Sequence, residues 1–181
     1  MAKKLLVLLC ISFILITCKN NQMKKLPTVD YVNIERFMGD WYVIAIIPNF
    51  IEKNAVNGIE SYKLLDNNKI KIDYRFRLNN ANGKKKHLQP KAEIYNKKTN
   101  AEWRVQFIWP LKFPYLIIEL AKDYSYTVIG VPNRKLIWIM AREPSLDKET
   151  YRAIIKRLDK LGYNTSVIKK MPQVWNENTS Y

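Results

Sequence analysis

Between Lys69 and Leu78 the chain alternates strictly: Ile70, Ile72, Tyr74, Phe76 and Leu78 are apolar, and Lys71, Asp73, Arg75 and Arg77 between them are charged. Successive side chains on a strand point to opposite faces, so this stretch fits an antiparallel sheet with one dry side and one wet side. Trp103, Val105, Phe107 and Trp109 alternate with Glu102, Arg104 and Gln106 in the same manner. The connections Asp66-Asn67-Asn68, Asn79 to Lys84, Asn96 to Asn100 and Pro132-Asn133-Arg134 are short, polar and rich in asparagine, which tolerates the positive φ of tight hairpins. The spacing predicts eight strands, near 40–48, 58–66, 69–78, 88–95, 102–109, 115–121, 124–131 and 135–142. Pro90 weakens the fourth, as at an edge, a bulge or a late strand start. Eight antiparallel strands at such intervals make a sandwich or a closed barrel.

The period changes after Pro144-Ser145. Ser145 can cap a helix whose first turn holds Asp147 and Glu149, and whose apolar stripe is Tyr151, Ile154, Ile155, Leu158 and Leu161. Lys160 and Gly162 suit its end. A last extended piece is expected around Gln173-Val174-Trp175. At the other end, Asn33 to Met38 reads as one helical turn leading into Gly39, where the backbone can turn sharply before the apolar run from Trp41 to Ile47.

The chain of 181 residues is long enough for one domain with a substantial core. Lys3 and Lys4 followed by the apolar run Leu5 to Ile16 read as a secretory leader over residues 1–17, too short for a spanning helix. Leu15-Ile16-Thr17-Cys18 resembles a bacterial lipobox, which implies an acylated Cys18. A polar tether over 18–30 would then precede a domain over 31–181, held at the cell envelope. Cys10 and Cys18 are the only cysteines, so the mature chain has no disulfide and depends on packing. The net charge of +15 suits a neighbour of anionic membranes or a lysine-rich solvated surface.

Catalytic chemistry finds little footing. The single histidine, His87, follows Lys84-Lys85-Lys86 in a predicted loop, and no histidine pair for a metal or glycine-rich phosphate loop occurs. No cofactor is expected. The aromatics alternate away from the basic residues, which argues against a nucleic-acid surface.

Three local matches then stand out. Gly39-Asp40-Trp41-Tyr42 resembles the G-x-W signature at the first strand of lipocalins, Lys122-Asp123-Tyr124 resembles their second motif, and Arg142 at the end of Leu136 to Ala141 resembles their third. Their order and spacing match over the whole mature domain, most closely in the bacterial outer-membrane and apolipoprotein D-like branch. The resemblance implies an all-β fold: an eight-stranded antiparallel up-and-down barrel with one C-terminal helix outside it. Gly39, Trp41, Asp123, Tyr124 and Arg142 would form its closed end, with the Arg142 guanidinium lying on the Trp41 indole.

The resemblance also implies binding, transport or storage of a small lipophilic ligand, a fatty acid, lysophospholipid or similar. A lipid-modifying enzyme on the same barrel and a filled structural lipoprotein are the alternatives, and a homodimer is open. Period two from Trp41 and Arg142 predicts a pocket lined by Val43, Ala45, Ile47, Trp138 and Met140, extended to Tyr74, Phe76, Phe107, Trp109, Tyr126 and Val128. Bacterial members commonly continue Trp-Tyr with Glu-Ile-Ala-Arg, where this chain has Val43-Ile44-Ala45-Ile46. Glu119 is either a compensating inward carboxylate or an outward one.

Overall fold

The computed structural model describes residues 24–175, so the leader over 1–17 and Cys18 lie outside the described residues. A single turn, α1 (Ile34–Phe37), precedes β1 (Gly39–Ile46), β2 (Ala55–Leu64), β3 (Lys69–Leu78), β4 (Lys85–Leu88), β5 (Lys91–Ile94), β6 (Glu102–Ile108), β7 (Leu111–Leu120), β8 (Tyr126–Gly130) and β9 (Ile137–Ala141). Helix α2 (Lys148–Lys160) and the short β10 (Lys169–Lys170) follow. Neighbouring strands pair antiparallel from β1 to β9, with β4 and β5 both paired to β3, and β1 also pairs with β9, so the sheet closes into a barrel; β10 pairs with the mouth end of β1.

The strands β4 and β5 form one stave broken at Gln89-Pro90. Leu88 lies opposite Tyr74 and Lys91 opposite Lys71, and Pro90, which lacks an N–H, keeps only its carbonyl in use, accepting from the Ile72 N–H at 3.4 Å. His87 sits on this stave, beside Asp73 at 2.8 Å, and not in a loop. A later stave also departs from expectation. β7 starts at Leu111 and carries Pro114 inside it, opposite Arg104, near the projecting end of the β6–β7 hairpin. The asparagine turns take the left-handed backbone that their composition invites, with φ of 59° at Asn67, 60° at Asn68, 72° at Asn79 and 56° at Asn100.

Two apolar clusters share the barrel wall. One fills the inside and the floor, and the other lies between the outer wall and α2, where Ile154 and Leu158 are buried against Ile137, Ile139 and Ala141. Helix α2 begins later than Ser145 suggested: Asp147 is its cap, its side chain accepting from the Thr150 N–H at 2.8 Å.

Strand direction alternates around the barrel, so its loops divide into two sets. Turn α1 and the loops 65–68, 95–101 and 121–125 close one end; the loops 47–54, 79–84, 109–110 and 131–136 surround the mouth. The chain enters beside the mouth, where Arg134 donates to the Lys24 carbonyl, and runs to the closed end, where the Val32 N–H donates to the Thr99 carbonyl at 2.8 Å. Leu26 is buried on the way and the Val29 N–H donates to the Ile117 carbonyl at 3.0 Å, so the stretch expected as tether through residue 30 is part of the packed domain from Leu26 onward. The C-terminal segment wedges between β1 and β2 in the mouth half. The Met171 N–H donates to the Ile44 carbonyl at 2.9 Å, the Asn57 N–H donates to the Pro172 carbonyl at 2.9 Å, and the Asn57 side chain bonds both backbone groups of Val174.

Candidate functional site

The closed end is built from polar groups that the turn before β1 leaves over. Trp41 is fully buried and its indole N–H donates to the Phe37 carbonyl at 2.8 Å. The Arg142 guanidinium lies 3.8 Å above the Trp41 ring and donates to the carbonyls of Asp40 at 2.7 Å, Arg36 at 2.7 Å and Met38 at 2.8 Å. A planar fork over an indole satisfies charge and hydrogen bonds at once, which a lysine could not do. Gly39 has φ of +91°, and a Cβ there would meet Arg142 Nη1 at 3.4 Å. Tyr124, at φ 65°, turns its hydroxyl to accept from the Asn33 N–H at 2.8 Å, under the Arg36 guanidinium at 4.1 Å. Asp123 holds that turn by accepting from the Ser125 N–H at 3.0 Å and hydroxyl at 2.7 Å.

Above the floor the interior is aromatic. Trp103 stacks on Tyr115 at 5.5 Å and Tyr115 on Trp138 at 6.3 Å. Two carboxyls sit among these rings. Glu60, on β2 opposite Trp41, is fully enclosed and accepts from the Tyr62 hydroxyl and, at 3.4 Å, from the Tyr115 hydroxyl. Loss of water raises its pKa to about 7, the two phenols oppose that, and the nearby Glu52 charge adds to it. Burial likewise pushes both tyrosines well above their ordinary value. Glu52 comes from the loop after β1, which folds back over the mouth. It accepts from the Tyr74 hydroxyl at 2.8 Å and the Trp138 indole N–H at 2.9 Å, and its pKa is also raised by desolvation.

Sequence reasoning missed both carboxyls. Glu60 was within reach, because it shares the face of Tyr62 by period two. Glu52 carries no such signal: its place depends on Asn49, whose side chain accepts from the N–H groups of Ile51 at 2.8 Å and Glu52 at 3.0 Å and so bends the loop inward.

A cavity of about 300 Å³ opens at the mouth, between this loop and the C-terminal segment. Ile46, Pro48, Ala55, Val56, Met171 and Pro172 supply apolar walls beside Asn54 and Asn79, Glu52 lies at its inner side, and Lys169 stands exposed at its rim, while the Lys170 ammonium lies 4.7 Å from the Tyr151 ring on α2. A second cavity, of about 290 Å³, lies where β3 and β5 part at Pro90. Among the described residues no cluster of His, Cys, Asp or Glu could hold a metal ion.

Of the predicted pocket residues, Val43, Tyr74, Phe76, Trp138 and Met140 are in the interior cluster. Ala45 and Ile47 are not, because a bulge between Val43 and Ala45 reverses the phase of β1 and turns both toward α2. Tyr126 and Val128 also face α2. They lie opposite Ala141 and Ile139, and cross-strand partners share a face; Thr127 is the residue opposite Met140. Phe107 and Trp109 belong to the hairpin beyond the barrel rim, 51% and 83% exposed. Glu119 points outward, where it accepts from Arg157 Nε on α2 at 2.9 Å and from the Tyr126 hydroxyl at 2.9 Å.

Comparison with known proteins agrees with this geometry. A family model described as a lipocalin-like domain matches residues 32–173. Temperature-induced lipocalin-1 of Arabidopsis thaliana is 31% identical over 163 residues, covering 84% of this chain and 85% of its own. Outer membrane lipoprotein Blc of Vibrio cholerae is 23% identical over 165 residues, covering 91% and 95%. Among solved structures, lobster apocrustacyanin A1 superposes with a TM-score of 0.63 at 15% identity, covering 87% of this chain and 94% of that one. With the closed barrel, the floor built on Trp41 and Arg142, and a family model over most of its length, this chain belongs to the lipocalins, whose members bind small hydrophobic ligands.

Proposed function

We propose that the protein binds an amphiphile with an acyl chain and an anionic head group, a fatty acid or a lysophospholipid, and carries or stores it at a bacterial envelope. The mouth cavity is the observation that supports this most: its walls are mainly apolar, its size lies at the lower end for ligand pockets, and Lys169 stands at the rim where a head group would emerge. Apolar burial drives entry, and Lys169 selects charge. No group in this scheme has to react. The lipobox-like stretch before Cys18 and the name of the Vibrio relative support an outer-membrane lipoprotein.

A second reading, a barrel that is filled and structural, has the ring stack from Trp103 to Trp138 in its favour. Native mass spectrometry with lipid extraction separates the two. A bound lipid, or displacement of a fluorescent fatty acid by palmitate or lysophosphatidylglycerol, is the expected result; a protein that carries nothing and refuses both probes is the filled barrel. Lys169→Glu is expected to weaken anionic ligands about fivefold and leave an uncharged monoacylglycerol within about twofold. Metabolic labelling with a radioactive fatty acid is expected to mark the protein and not its Cys18→Ser variant. An unlabelled parent would count against acylation.

A further inference from the structure

The β6–β7 hairpin holds five large apolar side chains in water. Phe107 is 51% exposed, Ile108 69%, Trp109 83%, Leu111 56% and Phe113 47%, and Phe50, on another mouth loop, is 92% exposed. Contiguous exposed apolar surface on a folded domain marks a place where something docks. These six side chains lie at the mouth end; the closed end also exposes Tyr31, Leu64, Leu65 and Tyr95 but, among the described residues, holds no hairpin with five such residues.

Charge is distributed along the same axis. The segments 47–54, 79–86, 107–113 and 131–136 carry Lys53, Lys84, Lys85, Lys86, Lys112 and Lys135, and their one carboxylate, Glu52, is buried. Lys112 faces Glu93 at 2.6 Å, and these lysines together surround the apolar tips. The closed-end segments 33–40, 65–68, 95–101 and 121–125 carry Glu35, Asp40, Asp66 and Asp123 beside Arg36, Lys97, Lys98 and Lys122, so charge there is balanced, whereas the mouth is basic.

The point of chain entry adds a third, independent observation. Lys24 is held by Arg134 in a mouth loop. Cys18 precedes it by six residues, which span at most about 20 Å when extended. Ten-residue strands tilted in a barrel give a height of about 25 Å, so an acyl group on Cys18 reaches the mouth and falls short of the closed end.

We propose that the mouth rim is a docking surface for an anionic lipid bilayer, with the hairpin tip 107–113 among the acyl chains and the lysines against the phosphates. Aromatic side chains beside lysines suit the boundary between head groups and hydrocarbon. The surface stands on its own observations; if the ligand reading also holds, an acyl chain passes between bilayer and cavity without crossing water.

The test uses the chain from Lys19 onward, which lacks both the apolar leader and Cys18, so that neither contributes to membrane binding. Binding to vesicles of phosphatidylethanolamine with phosphatidylglycerol is expected to be at least about tenfold tighter than to phosphatidylcholine alone, and to weaken with salt. Brominated acyl chains should quench part of the tryptophan fluorescence, and that part should vanish in Trp109→Phe. Ile108→Ser with Trp109→Ser should lower vesicle affinity about tenfold with an unchanged melting temperature. Equal binding to both vesicle types, no bromolipid quenching, or self-association that the same double variant abolishes would each overturn the proposal, the last because a second copy then covers the hairpin. Displacement of a fluorescent fatty acid in solution, run on the same variants, keeps the two readings apart: docking can fail while displacement persists, and the reverse.

Discussion

Trp41→Ala should destabilise the protein by about 4 kcal/mol, the cost of emptying a large buried aromatic site. The indole is fully enclosed, so its removal leaves a cavity beside Phe37 and strips the Phe37 carbonyl of its donor. It also removes the ring on which Arg142 lies. Urea unfolding reads this as a midpoint lowered by about 2 M with an unchanged slope, for a slope of about 2 kcal/mol per M. Arg142→Ala should cost about 2 kcal/mol, since three carbonyls lose their donor but two of its neighbours can turn to water. Arg142→Lys should recover less than half of that, because an ammonium cannot span three carbonyls and the indole together. The double variant should cost less than the sum, as residues in contact share one interaction. A loss below about 1 kcal/mol for Trp41→Ala would mean that the closed end does not hold the barrel together.

The second large effect is a dependence on pH that runs opposite to ordinary acid denaturation. Glu60 has a folded pKa of about 7 against an ordinary 4.5, chiefly because burial disfavours its charge. Between those values the folded protein holds a proton that the unfolded chain has released. Stability from this group is therefore full below about 4.5, falls as pH rises, and levels off above about 7, by about 3 kcal/mol in all. Glu52 acts in the same direction. Asp147, whose pKa is lowered by the hydrogen bonds of Thr150, acts in the opposite one and only at lower pH. Glu60→Gln keeps the shape and removes the titration. Relative to this variant the parent should be at least as stable at pH 5 and less stable at pH 8, when both are unfolded in urea. A difference that is the same at both pH values would show that Glu60 does not carry a raised pKa.

What the sequence revealed depended on how far each rule could be carried along a strand. Alternation between Ile70 and Phe76 identified a half-dry sheet, and the interior does hold those side chains. The closing pair β1 and β9 followed from the resemblance, since no local pattern in either strand names its partner. Period two failed where the backbone departs from a regular ladder. The extra residue in β1 sends Ala45 outward, and a similar shift between Val105 and Ile108 leaves Phe107 in solvent. Tyr126 was misplaced for another reason: its face is decided by register against Ala141, a property of two strands that one strand cannot show. Glu52 lay beyond any periodic rule, because a loop has none.

The wedge between β1 and β2 bears on how the molecule is made. Asn57 is bridged to Val174 across 117 positions of sequence, and Gln173 donates to the Val43 carbonyl across 130. A nascent chain emerges in order, so its first staves wait, with part of their ladder unfilled, until nearly everything else has been translated. Contacts so distant in sequence also make for slow folding, because a long loop must close before they form. Sealing is thus a late event, and until it occurs the chain exposes the unpaired edges that most invite aggregation.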